Sequence, residues 1–180
     1  MGESRVSRRC RAVIISTIIA VRVICAVLFL YTFHNDLGLW AICLFLCACF
    51  TDAIDGYLAK VWAVSPSLGA YFDAGADFFL TLMAFSAFVI KGIYPFWTLA
   101  IISAMFLQFV LTSGLRQPLY DPVGKYYGVF LYSAIGITLA FPQDAIYNGM
   151  PVIISVFTII SAASRFVFLL KHHQQAGPHP

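Results

Sequence analysis

Residues 37–90 read LGLWAICLFLCACFTDAIDGYLAKVWAVSPSLGAYFDAGADFFLTLMAFSAFVI, two apolar runs of helical length joined by Val64-Ser65-Pro66-Ser67. Crossing a hydrocarbon core about 30 Å thick takes about 20 such residues, and each run supplies them. Four acids interrupt the apolar sequence: Asp52, Asp55, Asp73 and Asp77 fall in one 26-residue window and make up half of the chain's 8 acidic residues. Each Asp at the centre of a spanning helix costs roughly 2.5–3.5 kcal/mol on insertion scales. Four facing lipid would cost on the order of 10 kcal/mol, so they face something polar.

Working outward with the same ruler, six spans are predicted, at Val13 to Phe33, Leu37 to Leu58, Gly69 to Ile90, Pro95 to Thr112, Tyr126 to Phe141 and Pro151 to Leu170. Turn-forming breaks separate them: His34-Asn35-Asp36, the Ser-Pro-Ser link, Lys91-Gly92, the Ser113 to Lys125 segment, and Pro142-Gln143-Asp144 with Asn148-Gly149. Composition agrees. The 180 residues are 61% apolar and 11% charged, with a mean hydropathy of +0.88, against about 25% charged residues in an ordinary soluble domain. That balance excludes a water-soluble globule, a disordered chain, a disulfide-stapled secreted module and a nucleic-acid binder driven by bulk basic charge.

The predicted fold is an all-α integral membrane protein, a six-helix bundle forming a single domain over residues 1–180, with a basic juxtamembrane segment at 1–12 and a polar tail at 171–180 that holds His172 and His173. Arg5, Arg8, Arg9, Arg11, Lys60, Arg116, Lys125 and Lys171 fall on the side of the termini and Lys91 alone falls opposite, which puts both termini in the cytoplasm. An Arg-rich start before an apolar run also fits a signal peptide, but five further spans favour a first transmembrane helix. Arg22 and Arg165 lie within spans, where a charge has to face the interior of the bundle or a wet cavity. For Arg22 the candidate partners are the acid cluster or a lipid phosphate. Cys25, Cys43, Cys47 and Cys49 lack His or Cys partners at metal spacing and are read as apolar packing.

On a helix, Asp52 and Asp55 stand about 60° and 4.5 Å apart, and Asp73 and Asp77 about 40° and 6 Å. Each pair occupies one helix face, and a short connection lets the two pairs converge. Four carboxylates so close take up protons or hold cations between them. All-oxygen donors suit Mg²⁺ or Mn²⁺ better than zinc, and two ions about 3.5–4 Å apart form a clamp for phosphoryl-type displacement. Gly56, Ala59 and Gly69 leave room beside these acids for a phosphate-bearing group, although small residues in membrane helices also serve close packing.

Asp52-x-x-Asp55-Gly56-x-x-Ala59-Lys60, then Gly69, Asp73 and Asp77, resembles the DxxDGxxAR signature of the CDP-alcohol phosphotransferases, in which eight residues, G, three residues, D, three residues and D follow. The resemblance implies transfer of a phosphatidyl group from CDP-diacylglycerol, or a related CDP-lipid, to the hydroxyl of a polar alcohol with release of CMP. It further implies two Mg²⁺ or Mn²⁺ ions held by Asp52, Asp55, Asp73 and Asp77, with Asp77 also the general base. Gly56, Ala59, Lys60 and Gly69 then line the CDP pocket, the enzyme is a homodimer in the cell membrane, and its active site opens at the cytoplasmic face.

Two positions depart from the pattern. Lys60 replaces Arg, which keeps the charge and loses the planar fork. Phe78 follows Asp77 where members acting on glycerol 3-phosphate often carry Lys and those acting on inositol phosphates often carry Arg. Lys125, in Gly124-Lys125, resembles a Gly-Lys of phosphatidylglycerophosphate synthases, and with Arg116 and Arg165 it is a candidate site for an acceptor phosphate; Arg116 and Lys125 are equally readable as positive-inside anchors. The leading acceptor is glycerol 3-phosphate, with inositol phosphate, serine and phosphatidylglycerol as alternatives. A reading of another class, a divalent-cation channel or transporter, requires polar residues continuing through the membrane, whereas Phe78-Phe79-Leu80-Thr81-Leu82-Met83-Ala84-Phe85 follows Asp77.

Overall fold

A computed structural model describes the backbone of residues 5–61, 68–112 and 126–175, and the side chains of 16–54, 57, 75–111 and 126–167. Among the described residues the chain is all helical, with α1 Arg5–His34, α2 Gly38–Val61, α3 Leu68–Ile90, α4 Phe96–Thr112, α5 Tyr127–Ala140 and α6 Asp144–Gln175. Ser16–His34 in α1 and Asp144–Val167 in α6 are long and apolar enough to cross a membrane by length and composition. The chain divides into two compact units, Met1–Ala87 and Phe88–Pro180.

In the first unit α1 packs along α2. Their helices close tightly because the buried positions alternate small and aromatic residues: Ala26 and Phe29 from α1, Ala41, Phe45 and Ala48 from α2. Phe29 meets Phe45 edge to face at 6.5 Å and stacks on Phe33 at 5.7 Å. Small residues of this kind let helix backbones approach where lipid provides no hydrophobic drive for association. Cys25 is buried in this packing as expected, and Cys47, though exposed, lies against it across the α1–α2 interface. Cys43 is exposed two residues beyond buried Ala41, off the 41-45-48 stripe, so core packing does not describe it.

In the second unit α6 packs against α4 and α5. Two tyrosine–threonine bonds tie the unit together, Tyr94 to Thr138 of α5 and Tyr127 of α5 to Thr158 of α6. Thr138 and Thr158 each give their hydroxyl hydrogen to the carbonyl four residues back, Ala134 and Ile154, both at 2.7 Å. The Tyr94 and Tyr127 hydroxyls are therefore the donors in their bonds to Thr138, at 2.5 Å, and Thr158, at 2.8 Å. Burial raises the Tyr94 pKa, opposed by the Thr138 bond, so this donor keeps its proton at neutral pH. Phe130 and Phe157 stack at 4.2 Å in the same region.

Helix ends explain the breaks. After α1, Leu37 N–H reaches the Thr32 carbonyl at 2.9 Å and Asp36 N–H the Phe33 carbonyl at 3.3 Å, with Asp36 at φ 61°. After α3, Ile93 N–H reaches Phe88 at 2.8 Å and Gly92 N–H reaches Val89 at 3.0 Å, with Gly92 at φ 71°. Both are Schellman closures, which need a left-handed residue just past the helix.

The predicted start of the last helix at Pro151 is corrected: α6 begins at Asp144 and runs through Asn148, Gly149 and Pro151. The Gln143 carbonyl accepts from the N–H groups of Ile146 and Tyr147, and Asp144 places a carboxylate in the first turn, where the helix dipole favours it. Pro151 is buried and removes the bond that the Tyr147 carbonyl would accept from it. At the other ends, α1 continues back through the basic segment to Arg5 and α6 runs forward past His172 and His173 to Gln175.

Gly92 has open space where a Cβ would stand, so its substitution is penalised by conformation alone. Gly92→Ala is expected to lower stability by about 1–2 kcal/mol, and Gly92→Asn to recover part of the loss, as read from thermal unfolding of the detergent-purified protein.

Candidate active site

The buried stripes of three helices each end in a charge. On α1, Arg22 stands three residues before Cys25, four before Ala26 and seven before Phe29, all buried. On α2, Asp52 follows Ala41, Phe45 and Ala48 at spacings of four, three and four. On α3, Asp77 adjoins Ala76 and precedes Thr81 and Ala84 by four and seven. Helical periodicity therefore carries the apolar interface of each helix directly into a polar end.

These ends meet. Arg22 Nη1 donates to Asp77 Oδ1 at 2.5 Å, and Nη2 lies 3.1 Å from Asp52 Oδ1. The guanidinium is 0% exposed, while the carboxyl side chains of Asp52 and Asp77 are 36% and 34% exposed. The cation is thus enclosed and both acids keep a face open. Of the two partners considered for Arg22, the structure selects the acid cluster. Local hydroxyls satisfy the adjoining backbone: Thr81 donates to the Asp77 carbonyl at 2.9 Å and Thr51 to the Ala48 carbonyl at 2.8 Å.

Asp55, Gly56, Ala59 and Lys60 lie on α2 and Gly69 and Asp73 on α3, with their side chains outside the described residues. Arg116 and Lys125 lie outside them altogether. Among the described residues no group of three or more His, Cys, Asp or Glu side chains gathers at metal spacing. Asp52 and Asp77 are the two signature acids whose side chains are described, and they converge.

Arg165 belongs to the second unit and is 1% exposed. Its Nη2 donates to the Phe109 carbonyl at 3.3 Å, and its guanidinium lies 4.9 Å from the centre of the Phe109 ring. Phe109 is in the last turn of α4, whose final carbonyls lack helical donors. Arg165 therefore caps α4 and stacks on its end, contacts that its sequence position did not reveal.

The family profile described as CDP-alcohol phosphatidyltransferase matches residues 13–164. The chain belongs to this family. The matched region contains α2 and α3 with the whole signature, and also Arg22. A curated relative, the CDP-diacylglycerol–glycerol-3-phosphate 3-phosphatidyltransferase of Cereibacter sphaeroides, is 36% identical over 94 residues, 51% of this chain and 42% of that protein. The matched stretch thus spans less than half of the relative's length. For a CDP-alcohol phosphatidyltransferase the gathering of Asp52 and Asp77 is the informative geometry, because it unites one acid from each half of the signature. Arg22 is the residue that the signature does not contain; its signal was a single cation inside the apolar run of residues 13–33.

Arg165→Met removes a buried bond and a stacked cation, and about 2 kcal/mol of stability is expected to go with them. Arg165→Lys, which keeps charge but not the plane, is expected to recover only part. Chemical or thermal unfolding of the purified variants reads both.

Proposed function

We propose that this chain is a membrane-embedded enzyme of phospholipid synthesis that transfers the phosphatidyl group of CDP-diacylglycerol to the hydroxyl of glycerol 3-phosphate and releases CMP. The observation that carries this reading is the convergence of Asp52 and Asp77 from the two signature helices. Family membership and the printed activity of the Cereibacter sphaeroides relative support the donor and the acceptor.

The donor set fits hard divalent cations: signature carboxylates, two of them brought to one point with a third of each side chain open. Asp52, Asp55, Asp73 and Asp77 would hold two Mg²⁺ or Mn²⁺ ions, which when bound neutralise the pyrophosphate and the departing CMP. The acceptor hydroxyl oxygen forms a bond to the phosphorus that carries the diacylglycerol. The bond from that phosphorus to the bridging oxygen breaks, and its electron pair leaves with CMP. A carboxylate within about 3 Å of the hydroxyl can take its proton, and Asp77 is assigned that role. Gly56, Ala59 and Gly69 would admit the cytidine diphosphate, and Lys60 would meet a phosphate as a point charge. Lys125, with Arg116 and Arg165, would bind the acceptor phosphate, Arg165 from the position where it caps α4.

The proposed topology has six spans, cytoplasmic termini and an active site at the cytoplasmic face, where a water-borne nucleotide and a lipid can meet. Lys and Arg placement supports it. So do the exposed Tyr31, Trp40, Phe96, Trp97 and Phe141, which stand at the helix ends expected at the opposite interface, where aromatic side chains concentrate. At 14 residues, α5 is about 21 Å long, short of the hydrocarbon thickness, a mismatch that local bilayer thinning accommodates. A single domain and a homodimer remain the expected organisation. Ion conduction gains no support: beyond Asp77 the buried face of α3 is Leu80, Thr81, Ala84, Phe85 and Phe88, and the Thr81 hydroxyl is turned back to the helix.

Asp55→Asn is expected to abolish CMP release, and normal turnover would rule out the proposed carboxylate site. Asp77→Asn is expected to lose transfer while still binding CDP-diacylglycerol; equal loss of binding would make Asp77 chiefly a ligand. Lys125→Ala is expected to raise the KM for glycerol 3-phosphate more than that for CDP-diacylglycerol, and unchanged values would reject the acceptor role.

A further inference from the structure

We propose that Arg22 is the resident countercation of the carboxylate cluster: its guanidinium neutralises Asp52 and Asp77 when no divalent ion is bound and holds them at a common point. The inference rests on the reading of that cluster as a divalent-cation site, and adds a residue from a helix that carries none of the signature acids.

Three observations combine. The guanidinium is fully enclosed, whereas each acid keeps about a third of its side-chain surface open. The fixed charge thus lies on the inner side of the carboxylates and leaves an approach open to other cations. Its two terminal nitrogens face acids on different helices: Nη1 hydrogen-bonds Asp77, and Nη2 forms an ion pair with Asp52 at 3.1 Å without hydrogen-bond geometry, so the flat cation spans both acids at once. Arginine also stays charged even when buried, so the neutralisation does not depend on pH in the working range.

A residue that only packs three helices together would stabilise the protein equally with and without ions. A countercation does not. Removing it leaves acids that repel one another in the ion-free protein, while bound ions relieve that repulsion. The dependence of stability on ions must therefore grow when Arg22 is neutralised.

The test is thermal unfolding of the detergent-purified full chain in EDTA and in Mn²⁺ or Mg²⁺ without nucleotide or lipid substrate. Arg22→Gln is expected to lower the midpoint by several degrees in EDTA and to show a larger ion-induced rise than the wild type. Adding Asp52→Asn or Asp77→Asn to Arg22→Gln is expected to restore part of the EDTA midpoint, or of the folded yield if Arg22→Gln alone does not fold. An equal drop with and without ions, or no recovery in either double variant, overturns the proposal. If ions shift neither the wild type nor Arg22→Gln, the divalent-site reading itself fails.

Discussion

A guanidinium enclosed in a low-dielectric interior has to be paired, because desolvating an isolated charge costs several kcal/mol or more. Arg22 meets that requirement with two carboxylates from two other helices, and this sets the geometry of the first unit. It ties α1 to the acids of α2 and α3, at the polar end of an interface otherwise made of Ala26, Phe29, Ala41, Phe45 and Ala48. Small residues bring the helices close enough for the contacts, and the contacts place one acid from each half of the signature at the same point. Packing and chemistry are continuous here: each catalytic candidate is the next turn of a core stripe.

The second unit uses neutral hydrogen bonds for a similar purpose. Tyr94 and Tyr127 donate to threonines whose own hydrogens are returned to the helix, so each of these four hydroxyls has a defined direction. Arg165 is a buried cation of this unit that meets the Phe109 carbonyl and ring. The two enclosed arginines therefore play different parts, one gathering acids and the other closing a helix end.

Much of this was legible in residue order. Apolar runs and turn-forming breaks located the helices, and the breaks at Asp36 and Gly92 are left-handed closures of the expected kind. Carboxylate spacing placed Asp52 and Asp77 on faces that could converge, and family membership agrees with the signature. The start of α6 was misplaced because Asn148, Gly149 and Pro151 look like a break, yet the helix runs through all three, and membrane helices tolerate proline where neighbouring groups satisfy the freed backbone. The exposure of Cys43 depended on which stripe α2 buries, a property of its neighbours. For Arg22 the sequence offered the acid cluster or a lipid phosphate, and the choice between them depended on three helices at once.

If these acids serve metal-dependent phosphatidyl transfer, the purified wild-type chain incubated with CDP-diacylglycerol and Mg²⁺ or Mn²⁺ is the decisive assay, run across a panel of glycerol 3-phosphate, inositol phosphate, serine and phosphatidylglycerol with a parallel series in chelator. Equal amounts of CMP and phosphatidylglycerophosphate are expected with glycerol 3-phosphate, and neither product in chelator. Absence of CMP release with every acceptor in the presence of ion, from protein that is folded, would contradict that role.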